Sequence, residues 1–88
     1  MKFTKGQKVR WVSSFKEKVG EYVAFVPANT DIRTLIPEYD QLSRNQIKGM
    51  VISGVDRHLI KVPRGGQSVK YDYYMPAVYM GVSVYNEA

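Results

Sequence analysis

Few side chains in this sequence are of a type that does covalent or metal chemistry. His58 is the sole histidine and cysteine is absent, so a thiolate nucleophile, a disulfide and a paired-imidazole metal site are all excluded. No His-Glu-x-x-His spacing occurs. His58 lies in Arg57-His58-Leu59-Ile60-Lys61-Val62, where strand alternation puts it on the face of Ile60 and Val62, the setting of a structural histidine rather than a general base. Among the carboxylates, Asp31, Asp56 and Asp72 stand where caps and turns recruit acids, and no persuasive acid/base pair is formed. Pro63-Arg64-Gly65-Gly66-Gln67-Ser68 is basic and glycine-rich, yet it lacks the GxxxxGK[ST] pattern and runs into a strand-like segment instead of a phosphate-holding helix. No catalytic residue, metal ligand or cofactor site is expected, and the chain reads as a binding module, not an enzyme.

The basic and aromatic residues carry more information. Residues 1–20 sum to +5 and residues 48–70 to +4, whereas 21–47 and 71–88 are each −2. If the fold brings the two cationic stretches together, Lys8 and Arg10 join Arg57, Lys61 and Arg64 in one stripe, with Tyr71 and Tyr73 nearby as stacking surfaces. Cations on phosphates and bases on aromatic rings are the chemistry of single-strand recognition. The plainer account makes Trp11 core, several Tyr cross-strand partners and the Lys solvated.

These side chains must be positioned by one small domain, because 88 residues cannot feed two cores. Abundant Val and Tyr favour β-structure. Strands are predicted at Lys8–Ser13, Val19–Val26, Gly49–Ser53, Arg57–Val62, Ser68–Tyr73 and Val78–Val84, punctuated by Gly and Pro. The first two are expected to pair through a loop longer than two residues. Residues 28–48 break the pattern: Asn29-Thr30-Asp31 offers a cap, Ile32, Leu35 and Ile36 have helical spacing, and Pro37 stops the run, so a helical or irregular insertion is expected there. The longest apolar run, Tyr22 to Ala28, is too short to span a bilayer, and the N-terminus shows no apolar signal core, so no membrane association and a cytoplasmic location are expected.

Lys5-Gly6-Gln7-Lys8-Val9-Arg10-Trp11 followed by Lys18-Val19-Gly20-Glu21-Tyr22-Val23 resembles the first hairpin of SH3-like barrels of the Tudor and KOW type. Arg57 to Gly65 followed by Tyr73-Tyr74-Met75-Pro76-Ala77-Val78 looks like the end of the same barrel, and the paired blocks are similar to small proteins of bacteria and their phages. The resemblance covers a little more than half the chain and leaves Pro27 to Gly49 without a counterpart in a minimal barrel. It implies an all-β fold, a small SH3-like barrel of five or six short antiparallel strands over residues 1–88.

Two functions are consistent with such a module. The first is nucleic-acid binding through Lys8, Arg10, Arg57, Lys61, Arg64, Tyr71 and Tyr73. The second is a protein-interaction or inhibitor module, of a kind a phage would direct at a host protein, using Ile32, Leu35, Ile36 and Tyr39 of the insertion or the Tyr79 and Tyr85 strand, an edge that would also serve homo-oligomerisation.

Overall fold

Alternation in Lys8-Val9-Arg10-Trp11 becomes a strand with Val9 and Trp11 buried and Lys8 and Arg10 exposed. In the computed structural model, which describes residues 3–86, six strands form one sheet: β1 Lys8–Ser13, β2 Lys16–Val26, β3 Ile47–Lys48, β4 Arg57–Pro63, β5 Tyr71–Tyr74 and β6 Ser83–Val84. Their order is β3-β5-β4-β2-β1-β6, antiparallel throughout except for the parallel β3–β5 pair. No helix among the described residues is long and apolar enough to cross a membrane.

Several expectations change. The predicted Ser68–Tyr73 strand begins only at Tyr71, and the parallel β3–β5 pair departs from an all-antiparallel arrangement. The β1–β2 connection is a two-residue turn, with Ser14 and Phe15 both at positive φ (51° and 66°), the conformation whose twist matches a tight hairpin. Gly49–Ser53 is not a strand: pairing stops at Lys48, and the carbonyls of Val51 and Ser53 instead accept the backbone N–H groups of Ile32 and Asn29. Only Ser83–Val84 of the predicted last strand is extended, because Val78–Met80 forms a single 3-10 turn closed by Gly81 in the left-handed region.

The central strand β4 is buried on both sides at Arg57 to Ile60. Leu59 enters one apolar cluster with Val26, Ile32, Ile36, Tyr73 and Met75, and Ile60 enters another with Val9, Trp11 and Tyr22. A bulge in β2 between Tyr22 and Ala24 adjusts the register, so that Val23 and Ala24 both turn toward the Leu59 side. On the Ile60 side the sheet is strongly coiled. Trp11 of β1 and Tyr74 of β5 have two strands between them, yet their ring centroids are 5.8 Å apart, against roughly 14 Å across a flat sheet.

Residues 27–51 cover the Leu59 side through 3-10 turns at Ile32–Thr34, Tyr39–Gln41 and Arg44–Gln46. Ile32 and Ile36 are fully buried core, so these two are not available as interface residues. Burial of each such side chain stabilises by about 1.5–3 kcal/mol, enough to hold the insertion against the sheet. Leu35 and Tyr39 remain half-buried around the same cluster. Polar ties finish the attachment: Gln46 Nε2 donates to the Tyr71 carbonyl at 2.9 Å, and Asp56 Oδ1 accepts the Ala28 N–H at 2.8 Å.

Candidate nucleic-acid interface

Residues directly opposite in antiparallel strands share a face, and the register aligns Lys8 of β1, Glu21 of β2, Lys61 of β4 and Tyr73 of β5 in one row. Arg10 and Tyr71, two positions along their strands, lie on the same face. β2 therefore separates the first and fourth strands, and the two cationic stretches meet across it with a glutamate between them. Lys61 Nζ sits 4.1 Å from the centroid of the Tyr71 ring, a cation–π contact that presents the ammonium and the ring together.

Open hollows cut this face. One of about 350 Å³ is lined by Glu21, Lys61, Pro63, Ser68, Val69, Lys70 and Tyr71. A second of about 340 Å³ shares Glu21 and Pro63 and continues to Gly6, Lys8 and Val19. A third, about 260 Å³, shares Glu21 and Lys61 and reaches Lys5, Leu35 and Glu38. The three adjoin at Glu21 and together carry Lys5, Lys8, Lys61 and Lys70 against Glu21 and Glu38. Lys8 Nζ also lies over the Tyr85 ring at 4.7 Å, which ties the half-buried Tyr85 beside this face. Arg10 pairs with Glu17 at 2.5 Å, but both are about half exposed, and exposed pairs are worth only about 0–1 kcal/mol, so a phosphate can compete for the guanidinium.

Glu38 closes one end. Its Oε2 accepts the hydroxyl hydrogens of Tyr71 at 2.6 Å and Tyr73 at 2.7 Å. Burial pushes the Glu38 carboxyl upward, but the two phenol hydrogen bonds, a backbone hydrogen bond and the Lys61 charge outweigh it, leaving it below its ordinary value and ionised at neutral pH. Burial, with the hydrogen bond to Glu38, raises Tyr73, and the same hydrogen bond leads the upward shift of Tyr71. The hollows thus carry positive charge at Lys70, Lys61 and Lys8 and negative charge at Glu38.

Two members of the expected stripe do not belong to it, and a third, Tyr73, lies in the row but is buried. Arg57 is only 5 % exposed, with Nη1 donating to the Met50 carbonyl at 2.6 Å and Nη2 to that of Val51 at 3.3 Å. Arg64 donates through Nε and Nη2 to Asp72 Oδ1, and Asp72 stands opposite Val62, on the face turned away from Lys61. Tyr73 is buried, its ring held edge-on to Tyr71, so only Tyr71 of the two offers a surface. Lys5 and Lys70 also line these hollows and were not expected there: Lys5 precedes Gly6 outside any predicted strand, and Lys70, inside the predicted Ser68–Tyr73 strand, lies before β5, which begins at Tyr71.

His58 is buried and packed edge-on against Phe3, Tyr22 and Phe25, with the Tyr22 hydroxyl 2.8 Å from Nδ1. Burial pushes its imidazole below the ordinary value. Among the described residues no group of three His, Cys, Asp or Glu is placed to hold a metal ion. No family model, curated protein or solved structure matches this chain. The functional reading therefore rests on the geometry alone.

Proposed function

We propose that the protein is an SH3-like barrel of the Tudor and KOW kind acting as a non-enzymatic nucleic-acid-binding module. The strand order β6-β1-β2-β4-β5, the 3-10 turn before the last strand and the coiling that joins Trp11 to Tyr74 support the barrel. The observation that carries the function is the register that aligns Lys8 with Lys61 on one open face, beside the Lys61–Tyr71 pair. Phosphates lie along Lys70, Lys61 and Lys8, and one base stacks on the Tyr71 side of the cleft.

Fluorescence anisotropy with labelled single-stranded DNA and RNA across a salt series tests this reading. Binding is expected to weaken steeply with salt, and the Lys61→Ala, Lys70→Ala double variant to lower the log–log slope by about 1.4. Arg64→Ala, on the other face, is expected to leave the slope unchanged. Absence of binding at low salt, or equal effects of the two variants, would overturn the assignment.

A further inference from the structure

A second surface is unlike the first. The exposed apolar side chains Met50, Val55, Tyr79 and Met80 surround a groove of about 280 Å³ between the 49–55 segment and the 77–80 turn. Tyr79 is 83 % exposed and Met50 66 %, and with Val55 and Met80 they line one hollow, so the apolar exposure is grouped and not scattered. Arg57 and Met75 also line this groove. Among the described residues no carboxylate pairs with Arg57, and its Nε–H, buried, has no acceptor at all. The two carbonyls of Met50 and Val51 satisfy hydrogen bonds on the guanidinium without neutralising it. Burial accordingly pulls Arg57 below its ordinary value, with no counter-charge opposing the shift. A buried positive charge lacking an anion is costly, and an orphaned donor adds to that cost.

We infer that this groove is the docking site for an acidic segment of a partner protein, a carboxylate flanked by apolar residues, whose carboxylate answers Arg57 while its neighbours cover Met50, Val55, Tyr79 and Met80. Charge and shape argue for this occupant together. The groove offers one fixed cation inside an apolar rim, whereas a nucleic acid requires a row of cations for its repeating phosphates. The exposed, flexible methionines Met50 and Met80 can step aside to admit the carboxylate and then repack around the segment. The site is separate from the cationic cleft and shares none of its lining residues.

The test is a nitrogen-15 NMR titration of the full chain with the acetylated, amidated peptide Leu-Phe-Asp-Leu-Leu and with its Asn counterpart, each to roughly 5 mM, where even millimolar affinities register. The Asp peptide is expected to give saturable shifts at residues 49–57 and 75–80 and to move the Arg57 Nε–H signal as it gains an acceptor. The Asn peptide is expected to bind about tenfold more weakly, and Tyr79→Ala, which alters only an exposed rim residue, to cost a similar factor. No saturable shift at the groove, or equal binding of the two peptides, would overturn the inference. So would the same shifts produced by raising the protein concentration alone or by adding a single-stranded oligonucleotide, which would assign the groove to a second copy or to nucleic acid.

Discussion

Gly20 is the position where the sheet tolerates least. It stands opposite Val9 in β1 and beside β4, and a Cβ built on it falls 2.7 Å from Ile60 Cγ2, 2.7 Å from the Lys61 carbonyl oxygen and 2.8 Å from Val62 Cγ2. Ordinary carbon contacts begin near 3.5 Å, so three neighbours on β4 must each retreat by about 0.7 Å. Two are side chains of the Ile60 side of the sheet, and the third is backbone on a strand paired with both β2 and β5. Overpacking of this kind costs about 1–3 kcal/mol, and the involvement of backbone places Gly20→Ala at the upper end. A domain of this size holds about 4–13 kcal/mol in all, so the loss is a large share, visible as a fall of roughly 10–20 °C in Tm. Trp11, the sole tryptophan and almost wholly buried against Tyr74, reports unfolding in urea by its fluorescence. A Gly20→Ala variant within about 0.5 kcal/mol of the parent, a change typical of an uninvolved surface site, would refute the close approach of β2 and β4 argued here.

Two further outcomes follow from local geometry. Ser14 and Phe15 occupy left-handed backbone that costs an L-residue about 1–2 kcal/mol, and Phe15 is wholly exposed, so Ser14→Asn with Phe15→Gly should raise stability by about 1 kcal/mol in urea melts; a loss would show that Phe15 makes a contact the free chain needs. Glu38→Gln keeps an acceptor for Tyr71 and Tyr73 but removes its charge, which should cost about 1–2 kcal/mol and, in an ultraviolet titration, let the phenols ionise at lower pH than in the parent. Because folding raises Tyr73, its contribution is fully present below the ordinary phenol value near 10 and is lost as pH rises beyond it, so the stability of the parent should decline above about pH 10 and a flat alkaline limb would contradict the Tyr–Glu–Tyr clasp.

The elements most legible in the sequence are those governed by alternation alone. Lys8–Ser13 and the strand beginning at Arg57 stand where the pattern puts them, because every second residue of the first meets a core and both faces of the second do at Arg57 to Ile60. The tight turn was hidden because Ser14 and Phe15 lack the Asn-Gly chemistry that announces left-handed backbone. Met50-Val51-Ile52 has strand composition, yet the backbone acceptors of this segment are spent on Ile32, Asn29 and Arg57, so it fastens the insertion instead of extending the sheet. Arg57 obeys the alternation and still defeats the inference drawn from it. It shares the Leu59 side, which is outward-facing at Lys61 but covered at residue 57, and no local spacing reveals which part of a face a distant segment will cover. The Glu38 clasp joins residues more than thirty positions apart, so its only signal was the Tyr71-x-Tyr73 pair.

That covering segment explains how one strand face can hold two dissimilar surfaces. Arg57, Leu59 and Lys61 project to the same side of β4, and the insertion folds over Leu59, the middle one. What remains open is a cationic cleft at the Lys61 end and an apolar groove with a single buried cation at the Arg57 end. Four residues of extended chain separate the two positions by roughly 13 Å, with packed core between them. Groups that far apart and without shared partners act nearly additively. The insertion therefore leaves both ends of this sheet face uncovered. By occupying the centre it leaves the two ends separate, so under the two proposals above ligands of different chemistry would be taken up independently.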